Sequence, residues 1–226
     1  MKALLLLKKS FLILMILLLQ QSLLQAQTTV TDIDGNVYHT VTIGKQVWMV
    51  ENLKTTKYRD GTAIPNVTDN KTWIYLTTGA YSDYDNKSSN SDTYGRLYNW
   101  YAVTNSHNIC PKGWHVPSDA EWTTLTASLG VESVVGGKLK EIGTTHWPSP
   151  NSGSTNETGF SALPGGSRGA SDGAFGFVGT YGNWWCSTEY STNYAWQRQM
   201  DRYNSYVNRS SSSAKTVGIS IRCLKD

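Results

Sequence analysis

Apolar residues recur along this chain with two different periods. Near the C-terminus Val217, Ile219, Ile221 and Cys223 alternate with Gly218, Ser220 and Arg222, the period of a strand with one buried face. Upstream, Trp184, Trp185 and Cys186 form a compact aromatic run that predicts another buried strand. The stretch between them is polar and predicts neither. Residues 37–43 and 46–50 are β-rich flanks of a Gly44-Lys45 turn, and Asp34-Gly35-Asn36 supplies a further turn. Residues 29–53 therefore predict a β-meander.

Helical spacing appears in Trp122, Leu125 and Leu129, at i, i+3 and i+7. Ser118 and Glu121 precede that run as a capping box, Asp119 adds first-turn negative charge, and Gly130 ends the pattern. Val135, Leu139 and Ile142 predict a second helix over residues 131–142, interrupted by Gly136-Gly137. Leu97, Trp100 and Tyr101 predict a short helix with one aromatic face over residues 95–103. Residues 58–92 read as an extended loop. Glycine, proline, serine and asparagine dominate residues 144–182, with short strands expected only at 160–163 and 175–178.

Residues 1–26 have the character of a signal peptide: Lys2, Lys8 and Lys9, then an apolar run from Phe11 to Leu19, then Ala26 at the expected cut. The apolar run is too short to favour a spanning helix, and no cysteine stands at the cut to carry a lipid. Export to the cell surface, the periplasm or the medium is expected. Three of the 20 basic residues and none of the 17 acidic ones precede Gln27, so residues 27–226 carry 17 of each. The basic balance belongs to the leader and gives no argument for a nucleic-acid partner. Residues 27–226 are enough for a single well-buried domain. Nine tryptophans and thirteen tyrosines against four phenylalanines point to many rings with one wet edge.

Residues 181–216 interleave tyrosine, asparagine, serine and arginine, the residue types from which adaptable binding surfaces are made. On a strand through this stretch Trp196, Arg198 and Met200 share one face. Trp196 and Met200 are the expected core-facing pair, which leaves Arg198 in need of a partner. The candidate ligand-binding residues are Tyr190, Asn193, Tyr194, Gln197, Arg202, Tyr203, Asn204, Tyr206 and Asn208, facing a glycan or a protein. Solvent-facing polar strands and loops have the same composition, and that reading stays open, as does a structural or adhesive role in the envelope. Asp83, Asp85 and Asn86 offer oxygens to calcium but lack the rest of a calcium loop, so a solvated loop is expected there.

Three cysteines in an exported chain leave one over. Cys223 lies on the apolar face of the last strand and Cys110 just ahead of the capped helix. A helix packing on that strand favours a Cys110–Cys223 bridge, worth on the order of 4–5 kcal/mol by chain entropy. Cys186 is then the odd thiol, beside Trp184 or Trp185. No nucleophile elbow, phosphate loop, dinucleotide turn or His-Glu-x-x-His helix appears. His39, His107, His115 and His146 are scattered. A glycosidase would draw on Glu157, Asp172, Glu189 or Asp201, whose separations the sequence does not fix. A non-catalytic module without a cofactor is the expectation, with an enzyme using loop carboxylates as the remaining alternative.

The motifs VTDIDGNVYHTVTIGKQVWMVENLK, YGRLYNWYAV, CPKGWHVPSDAEW, GGKLKE, GFSALPGGSR and a final G-x-S-x-R-C occur in order over almost the whole chain after the leader. Together they resemble the Fibrobacter succinogenes major paralogous domain. The resemblance implies an α+β chain with a variant of the C-type-lectin-like fold, which formylglycine-generating enzymes and the variable proteins of diversity-generating retroelements also use. It implies an N-terminal strand pair, two helices and a curved antiparallel sheet over residues 184–223. The family usually shows serine where Cys186 stands. Formylglycine chemistry needs a cysteine pair upstream of the terminal Arg-Cys strand, and only Cys186 is available there. The resemblance thus implies a fold more than an activity.

Overall fold

The computed structural model describes residues 28–226; the leader expected over residues 1–26 lies outside them. Among the described residues no helix is long and apolar enough to cross a membrane. The chain is a mixed α and β structure with antiparallel, curled sheets and few helices.

The meander forms as strands β1 (Thr29–Thr31), β2 (Val37–Ile43) and β3 (Gln46–Met49). Residues 58–92 are more structured than their composition suggests. They hold helix α1 (Asn70–Ile74), capped by the Asp69 side chain, strand β4 (Tyr81–Ser82), a 3-10 turn at Tyr84–Asn86 and helix α2 (Ser88–Tyr94). The buried side chains of Trp73, Tyr81 and Tyr84 tie this stretch to the core, a tertiary pull that local composition does not encode. The helix expected over residues 95–103 is shorter than predicted. Leu97 and Tyr98 form strand β5, pairing with β4, and the Asn99 side chain caps a single turn, α3 (Trp100–Val103).

After β6 (Trp114–His115) comes α4 (Asp119–Ser128). Its Ser118–Glu121 capping box is complete in both directions, and Trp122 and Leu125 are buried. Helix α5 (Glu132–Leu139) buries Val135 and Leu139 but stops before Ile142, which is 64% exposed. Strands β7 (Ser167–Arg168) and β8 (Phe175–Gly176) form a small ladder. Residues 160–163 make only an isolated bridge between Ala162 and Lys140.

The last third builds a three-stranded antiparallel sheet, β11-β10-β9, from β9 (Tyr181–Glu189), β10 (Tyr194–Asp201) and β11 (Asn208–Ala214). The polar middle of residues 181–216 is thus mostly strand. Residues 217–223 do not extend this sheet as a one-sided strand. They run between the sheets, bridging Gly218 to Arg168, Ile219 to Tyr98 and Ser220 to Trp184, and every residue from Gly218 to Leu224 is buried. The polar side survives burial because Asn52 satisfies it. Asn52 Nδ2 donates to Ser220 Oγ at 3.3 Å, and its Oδ1 accepts from Arg222 Nη2 at 2.8 Å. Arg222 also lies over the Phe160 ring. Strand β12 (Leu224–Lys225) then closes a five-stranded sheet, β1-β2-β3-β12-β6.

Two apolar clusters flank that spine. One gathers Tyr38, Met49, Tyr98, Trp185, Ile219 and Ile221. The other is an aromatic cage in which Trp122 meets Trp48, Phe160 and Trp184 at ring centroid separations of 4.8, 5.8 and 6.3 Å. Cys110 and Cys223 are joined by a disulfide spanning 113 residues, with Cα atoms 6.0 Å apart. Cys186 is free and buried.

Candidate functional site

Cross-strand partners share a face, so the register of the three-stranded sheet sorts its side chains. Arg198 is opposite Trp184 and Arg209, and this face packs on α4. Arg198 is 2% exposed and has found its partner: it donates to Asp119 Oδ1 at 2.6 Å, to the Asp119 carbonyl at 2.9 Å and to Thr123 Oγ1 at 3.0 Å. Arg209 donates to the other Asp119 oxygen at 2.6 Å. Burial pushes the Asp119 carboxyl upward, but the two guanidinium groups outweigh it and hold the carboxyl below its ordinary value. Met200 is buried as expected, whereas Trp196 is only half-buried. A bulge between Ala195 and Gln197 turns Ala195 into the core and leaves Trp196 at the margin, between Tyr190 and the Arg209 guanidinium, 3.9 Å from the ring centroid.

The opposite face carries Asn183, Gln197, Gln199 and Ser210, with Gln197 opposite Trp185 and Ser210, and Gln199 opposite Asn183 and Asn208. By the same register Trp185 lies on this face, where it is fully buried and donates its Nε1–H to the Tyr98 carbonyl at 2.8 Å. Together with Phe177, Tyr181 and Ser212 these residues line an open groove of about 500 Å³, within the range of roughly 300–1,000 Å³ typical of small-molecule sites. No residue lining it is charged.

The nine candidate residues do not form one patch. Tyr190, Asn193 and Tyr194 cluster at the turn joining β9 to β10, and Gln197 stands alone of the nine within the groove wall. Arg202, Tyr203, Asn204 and Tyr206 lie on the loop joining β10 to β11, with Asn208 at its end. The eight residues of β10 separate the two ends by about 24 Å at the usual rise of a strand. Tyr190, Tyr194, Tyr203 and Tyr206 are all exposed.

Helix α5 builds the far loop. Lys140, fully buried, donates to the carbonyls of Ser152, Asp201 and Asn204 at 3.0, 2.9 and 2.7 Å. Burial pulls its ammonium down to about 8. The Asp201 carboxylate accepts from the Tyr203 and Asn204 amides at 2.7 and 2.9 Å, and Arg202 stacks on Tyr203. Gly136 and Gly137 are the close-approach points, since a Cβ on either would stand 2.3 Å from the Tyr206 carbonyl oxygen or 2.1 Å from that of Gly153.

Tyr181, Asn183, Gln199 and Phe177 escape sequence reasoning. The signal for Asn183 and Gln199 is the polar member of each period-two pair, and it is masked by the tryptophans of β9. The serine run supplies Ser210, Ser212 and Ser213 to the groove wall.

The remaining polar candidates are engaged locally. Asp83 is buried and paired with Arg96 at 3.2 Å, not solvated. Among the described residues no group of three or more His, Cys, Asp or Glu side chains could hold a metal ion. His39, His107, His115 and His146 each face a carboxylate. Glu157 pairs with Lys138, Glu189 with Lys215, and Asp172 caps its own turn. Burial raises the Cys186 thiol to about 12, so the thiolate that nucleophilic chemistry needs is scarce.

No curated protein and no solved structure matches the chain. The family model of the Fibrobacter succinogenes major domain matches residues 41–225, a span that includes the capped helix, both buried motif arginines (Arg168 and Arg222), the groove and the disulfide. The chain therefore belongs to the Fibrobacter succinogenes major domain family.

Proposed function

We propose that this protein is an exported, non-catalytic binding module, a variant of the C-type-lectin-like fold, whose partner seats on the open face of the β9–β11 sheet. The observation that carries this reading is the asymmetry of that sheet. One face is closed on α4 by a buried ion pair. The other is covered at Trp185 by the Tyr98 and Ile219 segments, and beside them, among the described residues, it leaves amides and hydroxyls in an open groove. Polar strands that merely face water do not need a concave wall. Two rims extend the surface: Tyr190, Asn193 and Tyr194 at one end, and Arg202, Tyr203, Asn204, Tyr206 and Asn208 at the other. The partner is a glycan or a protein, and the leader and the disulfide are compatible with its being met outside the cytoplasm.

The test is hydrogen exchange of the mature chain with a partner captured from a glycan array or an envelope extract. Protection concentrated in residues 181–183, 197–199 and 208–212 is expected. A structural envelope component would give no saturable binding, and protection confined to residues 58–92 would move the site to that loop.

A further inference from the structure

Resting on that reading of the sheet, we infer that the groove takes a neutral carbohydrate, with Phe177 as its stacking platform. Three observations converge on this class.

The first is charge. Residues 27–226 carry 17 basic and 17 acidic side chains, yet none lines the groove. An anionic or cationic ligand would bury its charge here without a counter-charge, whereas an uncharged polyol loses nothing by the absence.

The second is the hydrogen-bonding inventory. Gln199 Nε2 donates to Asn183 Oδ1 at 2.9 Å, and Asn183 Nδ2 donates to the Gly166 carbonyl at 3.2 Å. This chain fixes the orientation of both amides and leaves the Gln199 carbonyl oxygen as a pre-aimed acceptor. Ser210 and Ser212 place hydroxyls 3.2 Å apart. Amides and hydroxyls both donate and accept, which matches sugar hydroxyls. The backbone of β10 is paired on both sides, so the centre of the floor offers no free strand edge to an extended peptide, and the one edge beside it is the short serine-rich β11.

The third is Phe177. It is 61% exposed and held at φ 69°, a left-handed conformation that is an outlier for a bulky side chain. Its carbonyl accepts from the amides of Thr180 and Tyr181, both at 2.9 Å, and its ring meets the Tyr181 ring edge-on at 5.3 Å. The turn thus spends conformational strain to present an apolar ring at the rim of a polar groove. A pyranose has one face of C–H bonds and an edge of hydroxyls, and needs that combination.

The experiment is calorimetric titration of the mature chain with neutral hexasaccharides of glucose, mannose and xylose, and with uronate and sulfated oligosaccharides as charged counterparts. A neutral oligosaccharide is expected to bind, and the charged set to bind at least tenfold more weakly. Phe177→Gly is expected to reduce affinity at least tenfold while leaving the melting temperature unchanged or raised, since glycine relieves the backbone. Gln199→Ala is expected to lose a similar factor, and Ile142→Ala, exposed and outside both the groove and its rims, less than twofold. Preference for the charged set, or neutral binding that survives both groove changes, overturns the inference. A protein partner lost on the same two changes would overturn the carbohydrate class and leave the module standing. Silence of this face toward every partner would remove both.

Discussion

Arg198 reaches across from β10 to Asp119 at the first turn of α4, and the 2.6 Å bond between them is the main polar tie between sheet and helix. Removing one partner of a buried pair costs about 3–5 kcal/mol, because the other is left desolvated and alone. Asp119→Ala is expected to fall in that range in a urea melt. Arg209→Ala, whose side chain is 51% exposed, is expected to cost under about 1 kcal/mol. Equal costs for the two would show that the buried arm is not what holds the sheet to α4.

Stability should pass through a maximum in mildly acidic solution. Burial pushes the His115 imidazole down, but hydrogen bonds to Asp226 at 2.7 Å and Glu121 at 2.9 Å overcome it and raise the group above its ordinary value of 6.5. Its contribution is therefore complete below pH 6.5 and is lost as pH rises through the folded value. Glu121 and Asp119 are shifted the other way. Burial raises each, while bonds from Ser118 and His115 to Glu121, and from Arg209 and Arg198 to Asp119, lower them below 4.5 and 3.8. Their contribution is present above those values and lost on acidification. Melting temperatures are expected to peak between pH 4.5 and 6.5, and His115→Gln should flatten the alkaline limb while weakening the acid limb only by the His115 share of the Glu121 shift. An unchanged alkaline limb in that variant would exclude His115 as its origin.

Sequence patterns read well where one local rule decides the outcome. The Ser118–Glu121 box specifies the start of α4, and the turns at Gly35 and Gly44 specify the meander. Cys223 stands in step with Ile219 and Ile221, which places it on the same core as Cys110. Patterns fail where burial is two-sided. Gly218, Ser220 and Arg222 look like the wet side of a strand, and distant partners make their burial possible: Asn52, 170 residues from Arg222 in sequence, for Ser220 and Arg222, the Phe160 carbonyl for Arg222, and the Arg168 backbone for Gly218. The candidate surface was legible as composition but not as shape. The bulge at Ala195 and the length of β10 split it into two rims, and the groove between them is built from residues of three strands together with Phe177, Val217 and Ile219 from outside them.

The cysteines should differ sharply in chemistry. Native protein is expected to take up no thiol reagent at Cys186, since burial raises the thiol to about 12, and one equivalent after unfolding. Peptide mapping without reductant should recover the Cys110–Cys223 pair. Replacing both bridge cysteines should cost about 4–5 kcal/mol. Cys186→Ser, which keeps a near-isosteric group 3.6 Å from the Arg198 guanidinium, should cost under about 1.5 kcal/mol. Labelling of native Cys186 would mean that the β9–α4 interface opens far more often than its packing implies.

Gly136 offers a way to separate the two rims from the groove. Within a helix interior, Gly→Ala ordinarily stabilises by about 1 kcal/mol. Here the added Cβ would stand 2.3 Å from the Tyr206 carbonyl oxygen and 2.7 Å from its carbon, so the 202–207 loop must move. The core itself need not, because Val135 and Leu139 point away from that contact into the aromatic cage. Gly136→Ala is therefore expected to give a net loss of about 1–3 kcal/mol, with faster amide exchange at Tyr203, Asn204 and Tyr206 and unaltered exchange in β9. Lys140→Met should act on the same loop from beneath, freeing the three carbonyls that its ammonium holds. If the ligand rests on the groove, its affinity should change less than twofold in Gly136→Ala. If Tyr203 and Tyr206 carry recognition, affinity should fall with the loop's order while the melting transition remains cooperative.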